Sequence, residues 1–360
     1  MNRLYVDPDI TRASTLPSSF YTDAHYFDLA KEKIFSKTWQ FCIGSEHLQE
    51  SNQMVPHMLL PGLLDEPLLF VRTEEKINCY SNVCTHRGNL LVHKPCTADK
   101  IKCGYHGRRF NLNGTFLSMP DFERTCNFPT AADNLSSIPC EHWGPFIFAA
   151  LNPRHCFTEV FGEIQNRLAW LPVENMRLDT QRSRDYLVHA HWALYCENYL
   201  EALHIPFVHP SLREVIDCTT YTTEIYPNHN LQLALAKPGE LSFNLPESAL
   251  DFGKNVAAYY YWIFPNIMLN FYPWGCSVNV VQPINPSLTK VTFLSFILDA
   301  QLLGQGAGGE LDEVEMEDEA VVESVQYGIR SRYYDQGRFS PTKEQGTHHF
   351  QRLVCDYLND

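Results

Sequence analysis

The sequence is short of positive charge: 28 Lys and Arg stand against 42 Asp and Glu, a formal net charge of -14 with neutral histidines. No basic run is long enough to follow a phosphate backbone, so nucleic acid is not an expected partner. Long apolar runs are missing as well. PFIFAALNP (145–153) and the interrupted MLLPGLLDEPLLFV (58–71) fall short of the ~18 residues that span a bilayer. The opening MNRLYVDPDITRAS has no apolar run of the signal-peptide kind. These absences set the expectation of a cytoplasmic protein with no membrane partner. Internal repeats and low-complexity tracts are also lacking. With 44% hydrophobic and 19% charged residues, a disordered, collagenous or coiled-coil chain is excluded, and 360 residues leave room for two domains.

What is present in excess is Cys and His, 12 and 15 of them. Twelve Cys are too dilute for a disulfide scaffold, and no export signal supplies an oxidising compartment. Cys42, Cys79, Cys126, Cys156, Cys276 and Cys355 have no Cys or His at ligand spacing, so they read as small buried hydrophobes.

An amphipathic packing helix is expected from Asp23, its N-cap, to about Ser36, with Tyr26, Phe27, Leu29, Ala30 and Ile34 on one face. From about 39 to 152, short alternating or apolar runs cut by turn signals predict a small all-β domain. Beyond residue 160 the pattern is mixed. Helices are expected over 192–204 and about 316–333, aromatic-rich strands over 257–282 and 290–300, and a solvated Gly-rich surface loop over 301–313.

Two constellations carry chemistry. In the first, Cys84-Thr85-His86 is followed after sixteen residues by Cys103-Gly104-Tyr105-His106. Each half offers one thiolate and one imidazole, which is what a [2Fe–2S] cluster with two Cys on one iron and two His on the other requires. A Cys2His2 zinc site is the competing reading, but zinc fingers usually cluster Cys with Cys and His with His. Arg87-Gly88 and Gly107 add turns whose backbone N–H groups would hydrogen-bond the sulfurs. The second constellation is ENYLEALHIPFVH (197–209). On a helix Glu197, Asn198, Glu201 and His204 share a face, with Trp192, Tyr195, Tyr199 and Leu203 on the apolar side. Pro206 would break that helix and bend the chain so that His204 and His209 meet at one ion. Two His and one carboxylate on one face of a metal make the non-haem Fe(II) oxygenase arrangement. The carboxylate is sought in MEDEAVVESVQYG (316–328), with Asp318 at the start of a helix as first candidate, and Glu317 and Glu319 competing on the same pattern.

Taken together, SNVCTHRGNLL, IKCGYHGRRF, ENYLEALHIPFVH, WIFPNIMLNFYPWG (262–275) and EDEAVVESVQYGIRSRYYDQGRFS (317–340) resemble the oxygenase (alpha) component of Rieske non-haem iron oxygenases, in the family's order along nearly the whole chain. The resemblance implies an α+β protein: an N-terminal helical segment (1–38), a small all-β Rieske [2Fe–2S] domain (39–155), and a helix-grip catalytic domain with an antiparallel sheet and helices (156–360). It implies a cluster held by Cys84, His86, Cys103 and His106, and a mononuclear Fe(II) held by His204, His209 and Asp318, the last five residues before Glu323. Glu201 takes the place of the carboxylate that links His204 to a cluster histidine of a neighbouring subunit. Glu where most relatives have Asp resembles the branch that oxidises choline, carnitine and betaines.

The resemblance further implies an NAD(P)H-dependent reductase partner with flavin, iron–sulfur or both, O2 and a small organic substrate, and a homotrimer. His191 stands where Asn often precedes Trp192, Arg108 replaces a frequent Trp, and Asn198 lies six rather than seven residues before His204, which leaves its approach to the iron undecided by the sequence.

The function expected is hydroxylation or oxidative demethylation of a small substrate, with a quaternary ammonium compound suggested by AYYYWIF (258–264) and NFYPW (270–274) as sources of a cation cage. Such alternating aromatics are also ordinary core and pocket lining. The alternatives are an aromatic-ring dioxygenase, a Rieske ferredoxin, which would need only about the first ~150 residues, and a metal-stabilised binding module without catalysis.

Overall fold

The computed structural model describes residues 3–217, 220–309 and 311–360, and the elements and contacts that follow are those of these residues. They form two compact units, one of Trp39–Pro153 and one that joins the N-terminal segment through Thr38 to Arg154–Asp360.

The Trp39–Pro153 unit is all antiparallel sheet. A five-stranded sheet runs in the order Cys96–Thr97, Gln53–Leu59, Glu66–Arg72, Ile77–Ser81 and Ser137–Ile138. Its middle strand buries Leu68, Leu69, Phe70 and Val71 completely, because both of its faces are covered. A second sheet pairs Gln40–Gly44, Phe146–Ala149 and Cys140–Trp143, and a third is a small meander of Ile101–Lys102, Arg109–Phe110 and Phe116–Ser118. One core cluster gathers Met54, Leu69, Val71, Ile101 and Phe110 around Cys84 and Cys103. The two thiols are thus part of the apolar core of this unit.

In the other unit, helix α1 (Ala24–Lys33) is capped by Asp23, whose side chain accepts from the His25 N–H at 2.9 Å, and buries Phe27, Ala30 and the adjoining Ile34. A seven-stranded antiparallel sheet consists of β1 (Arg177–Val188), β2 (Thr222–Ile225), β3 (His229–Leu235), β4 (Val256–Ile263), β5 (Ile267–Tyr272), β6 (Gly275–Asn285) and β7 (Leu288–Ile297), in the order β1-β7-β6-β5-β4-β3-β2. Helices α2 (Trp192–Tyr199), α3 (Leu311–Gly328) and α4 (Gln345–Asn359) pack together, α2 touching both of the others and β6. This is the antiparallel sheet with helices that the sequence led us to expect. No helix is long and apolar enough to cross a membrane.

Several local expectations need correction. The helix expected over 192–204 stops at Tyr199. Beyond it the Glu201 carboxylate accepts the N–H groups of Leu203 and His204 and competes with the helical ladder. Pro206 therefore does not break a helix; it opens a new short turn, Ile205–Val208, as Pro210 opens Pro210–Val215. Leu203, assigned to an apolar face, is 43% exposed. Helix α3 begins at Leu311, five residues earlier than the pattern suggested, with Asp312 and Glu313 filling its first turn.

The Gly-rich loop is only partly solvated. Gly308 is buried, and a Cβ there would come within 2.4 Å of Trp274 Nε1 and 2.8 Å of the Tyr272 ring. Cys126 and Cys156 are exposed, unlike Cys42, Cys79, Cys276 and Cys355. They lie in turn and helix-cap backbone, where nothing packs over them.

Candidate functional site

The Cys84 and Cys103 loops are near copies of each other. Cys84 N–H donates to the Asn89 carbonyl at 2.8 Å and receives the Gly88 N–H at 3.0 Å; Cys103 does the same with the Arg108 carbonyl at 2.8 Å and the Gly107 N–H at 3.1 Å. Both closures need a left-handed residue, and Gly88 (φ 71°) and Gly107 (φ 74°) supply it. Asn89 Nδ2 donates to Cys103 Sγ at 3.6 Å. Burial works against ionising Cys103, but the Tyr105 and His106 N–H groups aimed at its sulfur outweigh it and lower the thiol pKa. Cys84, with the single N–H of His86 to oppose its burial, stays raised. The sulfurs are therefore met by the N–H groups of His86, Tyr105 and His106, while those of Gly88 and Gly107 go to the cysteine carbonyls.

The His86 and His106 rings face each other edge to face at 4.9 Å. No three of the four side chains bring donor atoms within 4.8 Å of one another. A tetrahedral zinc site with ~2.0–2.3 Å bonds would require that. A sulfur pair and an imidazole pair held apart fit a two-iron cluster instead.

Arg108 has a structural explanation. It is 2% exposed, donates to the Asp133 carboxylate at 2.7 Å and carbonyl at 3.2 Å, and lies 4.9 Å from the Phe116 ring centre and 5.5 Å from that of Phe128. Thr85 donates to the same Asp133 carbonyl at 2.8 Å. Asp133 thus ties both loops together.

In the second unit, His204, His209 and Asp318 bring one ligand atom each within 4.8 Å of one another. His209 Nε2 lies 3.0 Å and His204 Nε2 3.6 Å from Asp318 Oδ1, near the ~3 Å edge of an octahedron with ~2.1 Å bonds. The far nitrogen of each ring is held by an acid: His204 Nδ1 by Glu201 Oε1 at 2.6 Å, and His209 Nδ1 by Glu317 Oε2 at 2.7 Å. Such a partner fixes the tautomer with the proton on Nδ1 and leaves Nε2 free for a metal. Burial depresses the basicity of His209, but Asp318 and Glu317 overcome it and raise its pKa, so the pocket favours positive charge at this point. The donor set fits a 2-His-1-carboxylate iron.

Asp318 is not at the start of its helix but two turns inside α3, so it is aimed by helical phase and not favoured by the dipole. Glu317, a rival on the sequence pattern, faces the outer nitrogen of His209. Glu319 makes no contact with either imidazole, and its Oε1 is buried without a partner.

Glu197 lies away from the metal-ligating group. It accepts from Tyr21 at 2.7 Å and Gln351 at 2.9 Å, and burial lifts its pKa to about 7. Asn198, in contrast, donates to Asp318 Oδ1 at 2.5 Å.

A cavity opens on the same three residues, lined by Tyr195, Tyr221, Tyr260, Tyr272 and Phe293 with Glu315. Strand alternation sorts the aromatic run. Tyr260 stands in a row between Gln232 and Asn270 on the cavity face, while Tyr259 and Tyr261 point to the opposite face. Tyr272 meets Tyr260 edge to face at 5.8 Å and stacks on Trp274 at 5.2 Å. Glu315 is 2% exposed, accepts the Tyr195 hydroxyl at 2.5 Å, and is pushed up to about 8 by burial. Sequence reasoning missed Glu315 and the support role of Glu317. The available signal was an acid one helical turn before Asp318 and another adjoining it.

Fold and sites together define a two-domain iron–sulfur oxygenase component. Residues 38–130 match the Rieske [2Fe-2S] domain family, and residues 169–360 match the ring hydroxylating alpha subunit (catalytic domain) family. The chain is 31% identical to choline monooxygenase, chloroplastic, of Arabidopsis thaliana, over 97% of this chain and 84% of that one. It is 28% identical to the carnitine monooxygenase oxygenase subunit of Escherichia coli (strain K12), over 97% and 95%.

Among solved structures, the quaternary ammonium Rieske monooxygenase CntA superposes with a TM-score of 0.77 at 24% identity, covering 98% of this chain and 96% of that one. Naphthalene 1,2-dioxygenase with phenanthrene bound gives 0.73 at 16%, covering 97% and 93%; these two likenesses speak for the fold. The chain belongs to the Rieske non-haem iron oxygenases, as an oxygenase alpha component, and its cofactors are a Rieske [2Fe–2S] cluster and a mononuclear iron.

Proposed function

We propose that this oxygenase inserts one oxygen atom into a small quaternary ammonium compound, hydroxylating or oxidatively demethylating it, with the second oxygen atom leaving as water. The observation that carries this reading is the cavity beside His204, His209 and Asp318, which combines Tyr195, Tyr221, Tyr260 and Tyr272 with the Glu315 carboxyl. A quaternary ammonium has no N–H to donate, so aromatic faces and carboxylates are what can recognise it. The choline and carnitine monooxygenases it resembles are named for substrates of that class.

In this reading Cys84 and Cys103 hold one cluster iron, His86 and His106 the other, and His204, His209 and Asp318 hold the mononuclear iron. When bound, these groups supply one-electron transfer and reductive O2 activation. The chain's own residues do the positioning. Glu201 and Glu317 keep the Nδ1 protons and ring angles, Asn198 fixes Asp318, and Ile205, Leu212 and Phe293 help exclude water.

Electrons come from a reductase, which we propose is NAD(P)H-dependent, with flavin, iron–sulfur or both. We also propose a head-to-tail homotrimer in which Glu201 links His204 to a cluster histidine of the next subunit; heterologous contacts close into rings when the rotation allows, and a structural relative is described by its inter-subunit electron transfer. A cytoplasmic site belongs to the same proposal, since a reducing compartment keeps Cys84 and Cys103 out of a disulfide and available to the cluster.

The test is reductase-driven O2 consumption with product analysis against choline, carnitine, betaines and aromatic acids. Stimulation by quaternary ammonium compounds with one product per O2 is expected; stimulation by arenes with cis-diol product would overturn the reading. For the relay, Glu201→Gln should keep cluster and iron in a trimer yet lose most single-turnover product. Monomers by mass photometry, or wild-type turnover, would count against it.

A further inference from the structure

The cavity carries one acid for which the proposed iron site has no use. Glu315 lies one helical turn before Asp318 on α3, is 2% exposed, and lines the cavity. Tyr195 satisfies its Oε2, whereas its Oε1 is buried and has no partner. A buried carboxylate oxygen without a partner is costly unless something arrives to meet it. No side chain of the protein meets Oε1: among the described residues lining the cavity there is no Lys or Arg, and the two basic side chains that are there, His204 and His209, face Glu201, Glu317 and Asp318 instead.

We infer that Glu315 is the counter-ion for the substrate's ammonium group, and that the pocket thereby selects substrates of net positive charge over zwitterions whose tail is a carboxylate. The inference rests on the quaternary ammonium reading and deepens it. A trimethylammonium group held among Tyr195, Tyr260 and Tyr272 would place its charge opposite Oε1. A carboxylate tail brought beside Glu315 would meet a like charge with no Lys or Arg in the lining to offset it. Gln232, Asn270 and Asn279 offer neutral polar groups suited to a hydroxyl. Burial raises the pKa of Glu315, and a cation beside it favours the ionised form.

The test is equilibrium binding to the full-length, cluster- and iron-loaded protein under anaerobic conditions, read by calorimetry. The probes are choline, its neutral isostere 3,3-dimethylbutan-1-ol, and glycine betaine. The wild type is expected to bind choline at least ~10-fold more tightly than either of the others, and Glu315→Gln to weaken choline by ~10-fold while leaving the neutral isostere within about twofold. Glu315→Asp should retain part of the preference. Unchanged choline binding in Glu315→Gln, or equal losses for choline and the isostere, would overturn the assignment while leaving the substrate class standing.

A wild type that binds quaternary ammonium compounds but prefers glycine betaine would overturn the charge selection. One that binds none of them removes the substrate reading and this inference together. If Glu315→Gln does not fold, the wild-type ratio of choline to isostere still decides, because equal affinities leave no role for a counter-ion.

Discussion

The cluster loops and the iron-site residues solve the same problem, holding side chains ready for a metal, by opposite means. Around Cys84 and Cys103 the work is local: two short loops close on themselves with matching backbone hydrogen bonds and a glycine each, and Arg108 and Thr85 lock them to Asp133. Around His204, His209 and Asp318 it is not. A helix more than a hundred residues further along the chain supplies both the third donor, Asp318, and Glu317, which orients His209. Local closure makes a motif readable by spacing, whereas assembly across distant elements makes a site whose supports must be found in three dimensions.

The largest expected effects break one region and spare the other. Cys84→Ser or His106→Ala should abolish the visible absorption and reduced EPR signal of the cluster, each removing one of the four proposed ligands, while mononuclear iron is retained. Conversely, His204→Ala or Asp318→Ala should lose mononuclear iron and turnover with the cluster spectrum intact. An Asp318→Ala enzyme with full iron content would show that the carboxylate ligand is another acid.

The next effect sharpens the contrast between ligand and support. Glu317→Ala should weaken iron binding by ~10–100-fold through loss of the His209 partner, whereas Glu319→Ala, which touches neither imidazole, should leave it near wild type. Iron titration monitored by competition with a chelator distinguishes the two. In the cluster region the corresponding support is Arg108. Arg108→Lys keeps the charge but loses the planar fork between Asp133 and the Phe rings, so a stability loss of ~1–3 kcal/mol in urea unfolding is expected, with the cluster more easily bleached.

The smallest effect comes from two groups on α2, His191 at its N-cap and Glu197 in its last turn, that pull in opposite directions with pH. Burial raises Glu197 to about 7, so between the ordinary carboxylate range and that value the folded chain keeps a proton the unfolded chain has released. Its contribution to stability is present at low pH and falls as pH rises through about 7. Burial lowers His191 to about 3, so its contribution is full above the ordinary imidazole range and is lost as pH falls from there. The two slopes oppose where these ranges overlap, so Glu197→Gln should make Tm climb more steeply between pH ~5 and ~7 than it does in the wild type. Equal slopes in the two proteins over that range would contradict the assignment.

The sequence by itself determined the chemistry classes. Alternating Cys and His at short spacing pointed to a two-iron cluster, two His five residues apart to a mononuclear metal, and the strand and helix periods to a β unit followed by a sheet-and-helix unit. These are local signals, set by backbone turns and side-chain period, and local signals survive in one dimension. Only the tertiary structure decided which of three adjacent acids stands beside both Nε2 atoms and which one holds the outer nitrogen of His209, because Glu317, Asp318 and Glu319 differ by ~100° steps around a helix whose phase is fixed by packing on α2. It also decided that Tyr260 and Tyr272 face the cavity while Tyr259 and Tyr261 do not, since a one-residue shift in register exchanges the two faces of a strand. The unpaired oxygen of Glu315 could not be read from sequence at all. Whether a buried acid has a partner depends on what the distant elements around it leave empty.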